Sequence, residues 1–203
     1  MRWSKLKKQL EDFICPCLRS RVEFWVTNYR KAHDQMGRAY ITVDRNEVIN
    51  MCTIKKEIAV FNAEKELKDN NEDIFEQNYF KQNRIYELLR REGFSENILP
   101  EIAINRSIND MAHKKVERQD IFAQYDFFES AERFLNSPIE ESLESDNAII
   151  NVLAIIDRRV GKRTLSKIKN SIKNKSKLVR YFYQLRCEAE EKVFLDNGGT
   201  EID

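Results

Sequence analysis

The chain has 203 residues, 41% of them apolar and 34% charged, with only five Gly and three Pro; it can bury a sizeable core, suits helices with charged outer faces, and has little material for long loops. Thirty-five Lys and Arg against 34 Asp and Glu leave a formal charge of +1, so bulk charge makes no case for a nucleic-acid or anionic-membrane partner, and any such case rests on local clustering. No window approaches the roughly 18 consecutive apolar residues of a membrane span, and the amphipathic opening MRWSKLKKQLEDF is unlike a signal peptide, which points to a cytoplasmic protein.

Trp3, Leu6, Leu10, Phe13 and Ile14 recur at helical spacing, and Pro16 ends the pattern, which predicts a first helix. The flanking cysteines, Cys15 and Cys17, have a single spacer, which fits neither a zinc ribbon nor a redox Cys-x-x-Cys; reduced thiols are expected for these and for Cys52 and Cys187. RVEFWVTNY (21–29), RAYITVD (38–44) and EVINMCTI (47–54) are rich in β-branched and aromatic residues and predict a three-stranded antiparallel meander with a hairpin turn at Asp44–Asn46. Ala39, Ile41 and Val43 share one face, and Phe24 and Trp25 must point to opposite faces.

Beyond residue 58 the strand signal stops. NEDIFEQNYFKQNRIYELLRREGF (71–94), with Phe75, Tyr79, Tyr86 and Leu89 apolar among charges, predicts a long helix ended by Gly93 as a left-handed cap with Phe94 as its apolar contact. The following segment, interrupted by Pro100, is read as mostly helical. YDFFESAERFLN (125–136) is amphipathic, and Ser137, Pro138 and Glu140 form a capping-box pattern for the next helix. DNAIINVLAIIDRRV (146–160) is the most apolar helix and is expected to run to Gly161, followed by two helices with apolar stripes. The expected fold is α+β: an N-terminal helix and three-stranded antiparallel sheet (1–58) packed with a larger, mainly helical region (59–203), which continues the same domain or forms a second lobe.

Two clusters could carry function. Arg30, His33, Asp34 and Arg38 lie between the first two strands. With His113 the only other histidine, a metal-dependent phosphohydrolase lacks ligands, and no G-x-S-x-G supplies a hydrolase nucleophile. The pair reads as loop residues, with Gly37 in positive φ, or as a polar surface site; an enzyme using His33, Asp34 and Arg38 is the weakest alternative. The second cluster is basic: residues 158–186 carry eleven Lys or Arg and no Asp or Glu, whereas 120–157 carry nine acids and one Arg. Arg158 and Arg159 would suit a helix C-terminus, but Lys162 and Arg163 oppose the dipole at the next helix start and call for an acidic partner, internal or external. Gly161-Lys162-Arg163-Thr164 is no P-loop. Tyr181, Phe182 and Tyr183 could stack on bases but lie on an ordinary helix stripe.

MRWSKLK, GRAYITVD and IIDRRVGKRTL together resemble a family of small, uncharacterised bacterial cytosolic proteins; the chain departs from the pattern expected there at Asp44–Arg45, where Asp-Gly would be usual. The resemblance implies a bacterial, cytoplasmic origin and carries no catalytic residue. The expected function is that of a non-catalytic binding or regulatory protein whose partner is another protein, with no cofactor and no metal. The alternative is nucleic-acid binding through Arg158, Arg159, Lys162, Arg163, Lys167 and Lys169.

Overall fold

The computed structural model describes residues 2–28, 36–69 and 84–196. The protein is α+β, with an N-terminal helix, a three-stranded antiparallel sheet and a mostly helical remainder. The apolar spacing at the start forms α1 (Trp3–Phe13), which buries Leu6 and Leu10. β1 (Val22–Asn28), β2 (Gly37–Val43) and β3 (Asn46–Cys52) pair in the order β1-β2-β3. Alternation sets their faces: Phe24, Ala39 and Ile41 are fully buried, whereas Trp25 is 40% exposed and stacks on its cross-strand partner Tyr40. Asp44 and Arg45 have φ of 50° and 68°, so the hairpin is a two-residue turn with both residues left-handed, the type I′ geometry that matches strand twist. The turn is held through its first residue: Arg21 grips the Asp44 carboxylate through two bonds of 2.9 and 2.7 Å, and the Asn46 amide donates to the Asp44 carbonyl.

Gly37 does not have the positive φ expected of it; among the described glycines that conformation belongs to Gly93, at 88°. The reason for a glycine at 37 is space: an added Cβ would lie 2.6 Å from the Thr27 carbonyl oxygen and 2.6 Å from Gln124 Nε2. The strand pattern through Ile54 also overshoots, since α2 (Thr53–Asp69) begins directly after β3.

Two compact units emerge, 1–54 with 122–203, and 55–121. Within 55–121, Val60 and Ala63 of α2 pack with Ala112 and Val116, and Lys56 Nζ pairs with Glu117 at 3.0 Å. α3 (Ile85–Arg91) ends as predicted, with the Phe94 N–H on the Leu89 carbonyl and the Gly93 N–H on that of Arg90, a Schellman closure; the earlier part of the predicted helix, with Phe75 and Tyr79, lies outside the described residues. α4 (Leu99–Glu117) contains Pro100 in its first turn, where the missing N–H has no helical acceptor to lose, so the proline starts this helix and does not interrupt it.

In the other unit the remaining helices follow: α5 (Gln124–Asn136), α6 (Ile139–Glu144), α7 (Ala148–Ile155), α8 (Lys162–Ile172) and α9 (Lys177–Asp196). Asp126 caps α5 by accepting from the Ala123 N–H at 2.7 Å, and Gln124 reaches the Thr27 and Arg38 carbonyls, tying α5 to the open end of the β1–β2 pair. Leu6, Phe24, Ile41, Phe127, Val152 and Phe182 belong to one buried cluster, so the sheet's inner face, α1 and the late helices share a core. Ser137 closes α5 and Pro138 precedes α6 without a side-chain cap, one residue off the capping-box pattern. α7 stops at Ile155, short of Gly161, because the next residues bond to the end of α1: Cys15 N–H to the Ile156 carbonyl, and Arg158 N–H to that of Phe13 at 2.7 Å.

Candidate functional site

The basic run from Arg158 divides in two, its first part lying with Asp157 in one connection. Residues 156–161 form the connection between α7 and α8, and its charges are engaged by the fold. Asp157 is fully buried and accepts from the Arg159 backbone N–H at 2.7 Å and from its guanidinium at 2.8 Å. Arg159 also covers the Phe13 ring at 4.5 Å, and Arg158 lies 5.8 Å from it. Both arginines therefore follow a helix that has already ended: the Asp157 carboxylate and the Phe13 ring hold Arg159, and Arg158 lies near the same ring. Arg186 of α9, likewise buried, donates to the Val160 carbonyl and pairs with Glu190 at 2.7 Å.

From Lys162 onward the picture changes. Lys162, Arg163, Lys167 and Lys169 are exposed, and Arg163, Lys167 and Lys169 form no ion pair among the described residues. α8 attaches through Leu165 and Ile172. Beside that stripe, Lys162, Ser166, Lys169 and Lys173 fall at i, i+4, i+7 and i+11, one edge of a helix. On α9, Arg180, Tyr183, Gln184, Cys187, Glu190 and Glu191 repeat the same spacing. The two edges enclose a groove of about 610 Å³ with Leu165 and Ile172 in its lining.

The groove has a neutral floor and a charged rim. Tyr183 donates its hydroxyl to the Leu165 carbonyl at 2.9 Å, and burial, ahead of the contact with Cys187, pushes its phenol up to about 12. Burial also raises the Cys187 thiol. Both stay protonated at neutral pH. Lys169, Lys173 and Arg180 make one end cationic, while Glu190 and Glu191 lie towards the other, the helices running antiparallel. An elongated ligand with apolar and acidic groups meets complementary chemistry here.

Of the predicted basic residues, Lys162 and Lys169 line this groove, Arg163 and Lys167 lie on the outer side of α8, and Arg158 and Arg159 belong to the connection. Sequence reasoning missed the α9 side; the i, i+3, i+4, i+7 recurrence from Arg180 to Cys187 was the available signal, masked by the stronger apolar stripe of Leu178, Phe182 and Leu185. Arg30, His33 and Asp34 lie outside the described residues. Arg38 pairs with Glu47 at 3.2 Å and covers the Tyr40 ring at 4.4 Å. No group of three or more His, Cys, Asp or Glu suited to a metal ion occurs among the described residues, and no helix among them is long and apolar enough to cross a membrane.

An α+β fold bearing a cation-rimmed helical-hairpin groove defines the class. The chain belongs to the SF0329 protein family, an uncharacterised family whose model matches residues 2–187. No curated protein and no solved structure matches it.

Proposed function

We propose that the protein is a non-catalytic bacterial cytoplasmic binding or regulatory protein that holds an acidic, amphipathic helical segment of a partner protein in the α8–α9 groove. The carrying observation is a neutral, partly apolar floor under Lys162, Lys169, Lys173 and Arg180. The eleven residues of α8 span about 16 Å, the length of three turns of a bound helix. Glu190 and Glu191 orient it, placing its carboxylates towards Lys173 and Arg180. The four free cysteines and the family resemblance support the compartment.

Fluorescence anisotropy tests this with two labelled helical peptides of identical leucine spacing, one Glu-rich and one Lys-rich. The Glu-rich peptide binds and the Lys-rich one does not; Lys169→Glu with Arg180→Glu weakens binding at least about tenfold, or about 1.4 kcal/mol, with the unfolding midpoint unchanged. Equal binding of both peptides, or indifference to the double variant, refutes the reading.

Nucleic-acid binding is the second reading, favoured by the exposed, unpaired Arg163 and Lys167. Against it stand the engagement of Arg159 by Asp157 and the two carboxylates on the groove rim. Its signature is oligonucleotide affinity that falls steeply with salt and weakens in Lys162→Ala with Arg163→Ala.

A further inference from the structure

Pro16 sets two thiols side by side. Cys15 and Cys17 flank it in a turn closed by the Leu18 N–H on the Cys15 carbonyl at 3.0 Å, and their Sγ atoms lie 3.1 Å apart. Small side-chain rotations bring such a pair to the bonded distance of about 2.05 Å. Their surroundings differ. Cys15 is fully buried, whereas Cys17 is partly exposed, and its thiol donates to Glu190 Oε1 at 3.6 Å. Behind them is Arg186, 2% exposed, whose Nε and Nη1 have no hydrogen-bond partner among the described residues; burial raises the Cys15 thiol, and the Arg186 charge opposes that rise only in part. Its charge is met by Glu190 through Nη2 at 2.7 Å, but donors left without an acceptor in the interior are costly, and a sulfur that gains negative character beside them offsets part of that cost.

We propose that Cys15 and Cys17 form a reversible dithiol–disulfide site whose co-reactant is a low-molecular-weight disulfide such as oxidised glutathione, Cys17 being the attacking sulfur and Cys15 the resolving one. The Cys17 thiolate attacks one sulfur of the small disulfide, forming a mixed disulfide and releasing one small thiolate. Cys15 then attacks Cys17 Sγ beside the Arg186 guanidinium, its proton passing to the departing sulfur as the S–S bond to the small group breaks, so that the second small molecule leaves as a thiol. Two protein thiols are oxidised and one small disulfide is reduced to two thiols. The reverse reaction begins when a small thiol attacks Cys17 Sγ as its thiolate, and Cys15 leaves beside the guanidinium, taking up the proton as the S–S bond breaks. Oxidation removes the thiol donor from Glu190, a groove carboxylate, but the exchange is independent of what the groove binds.

Residues 9–19, QLEDFICPCLR, form a single tryptic peptide that carries both thiols and no other cysteine. Full-length native protein is equilibrated in glutathione buffers of increasing oxidised fraction, alkylated, digested and weighed. In oxidising buffer this peptide becomes two hydrogens lighter and takes no alkyl group, in reducing buffer it takes two, and the Cys15→Ser variant stops at a stable glutathione adduct on Cys17. A peptide that stays doubly alkylated throughout overturns the proposal, as does a wild-type chain that keeps the Cys17 adduct as persistently as the variant.

Discussion

The 156–161 connection and helix α8 share one run of basic sequence, yet their cations have opposite fates. Arg159 sits against a buried carboxylate and two aromatic rings, so its charge is part of the fold. Lys167 and Lys169 point into solvent without an ion pair among the described residues. The difference follows from Asp157: a carboxylate with no exposed surface requires a fixed cation, whereas Lys167 and Lys169 of α8 pair with no carboxylate among the described residues. Cations of the first kind should therefore govern stability, and those of the second binding. The sharpest break is Arg159→Ala, which leaves Asp157 buried with only the residue-159 backbone N–H. Urea unfolding should show a loss of about 2 kcal/mol, below the figure for a fully buried pair because the Arg159 side chain is 37% exposed; a loss under about 0.5 kcal/mol would mean that the two regions do not differ.

Interior and exterior groups also separate by pH. Burial, ahead of the Cys17 contact, moves the Cys15 thiol from 9.0 up to about 12. The folded state thus holds this proton more tightly than the unfolded state does. The associated stability is complete below pH 9.0 and is lost as pH rises towards about 12. Thermal unfolding across that interval should show a shallower decline in Cys15→Ser than in wild type, whatever the variant's absolute stability.

The sheet and its faces were legible because a period of two is short and local: Phe24 inward and Trp25 outward follow from adjacency alone. Helix ends set by tertiary contacts were less so. IIDRRV continues an apolar helix by pattern, but α7 stops at Ile155 because residues 156 and 158 bond to residues 15 and 13, a long-range event with no local signature. The basic run was visible as a cluster, and its division was not, since nothing in DRRVGKRTL distinguishes a buried Asp157 from an exposed one. The groove was half legible. Its α8 edge carries lysines at helical spacing, whereas its α9 edge mixes Arg180, Tyr183 and Cys187, which share no composition. Gly37 shows the same limit, because its neighbour Gln124 lies far away in sequence.

Arg45 is a cation of a third kind, in neither region, whose side chain matters less than its backbone. At φ 68° it occupies the left-handed region without a glycine's freedom. Arg45→Gly should raise stability by about 0.5–1 kcal/mol, the relief of that strain less the added freedom of the unfolded chain. A rise in the urea midpoint at unchanged slope is the expected result, and a fall would show that the arginine makes a contact outweighing its conformation.

The smallest expected effect separates the two functional readings. Lys167 lies on α8 about 200° around the helix from Leu165 by the 3.6-residue period, outside the groove lining, so Lys167→Ala should change stability by no more than about 0.5 kcal/mol. It should also leave Glu-rich peptide binding unaltered, because the carboxylates of a segment seated in the groove face Lys169, Lys173 and Arg180. A phosphate backbone lying across the outer side of α8 would behave differently: losing one phosphate contact would lower the salt slope of oligonucleotide binding by about 1. Because the side chain contributes so little to the fold, either result reads directly on which side of α8 receives the partner.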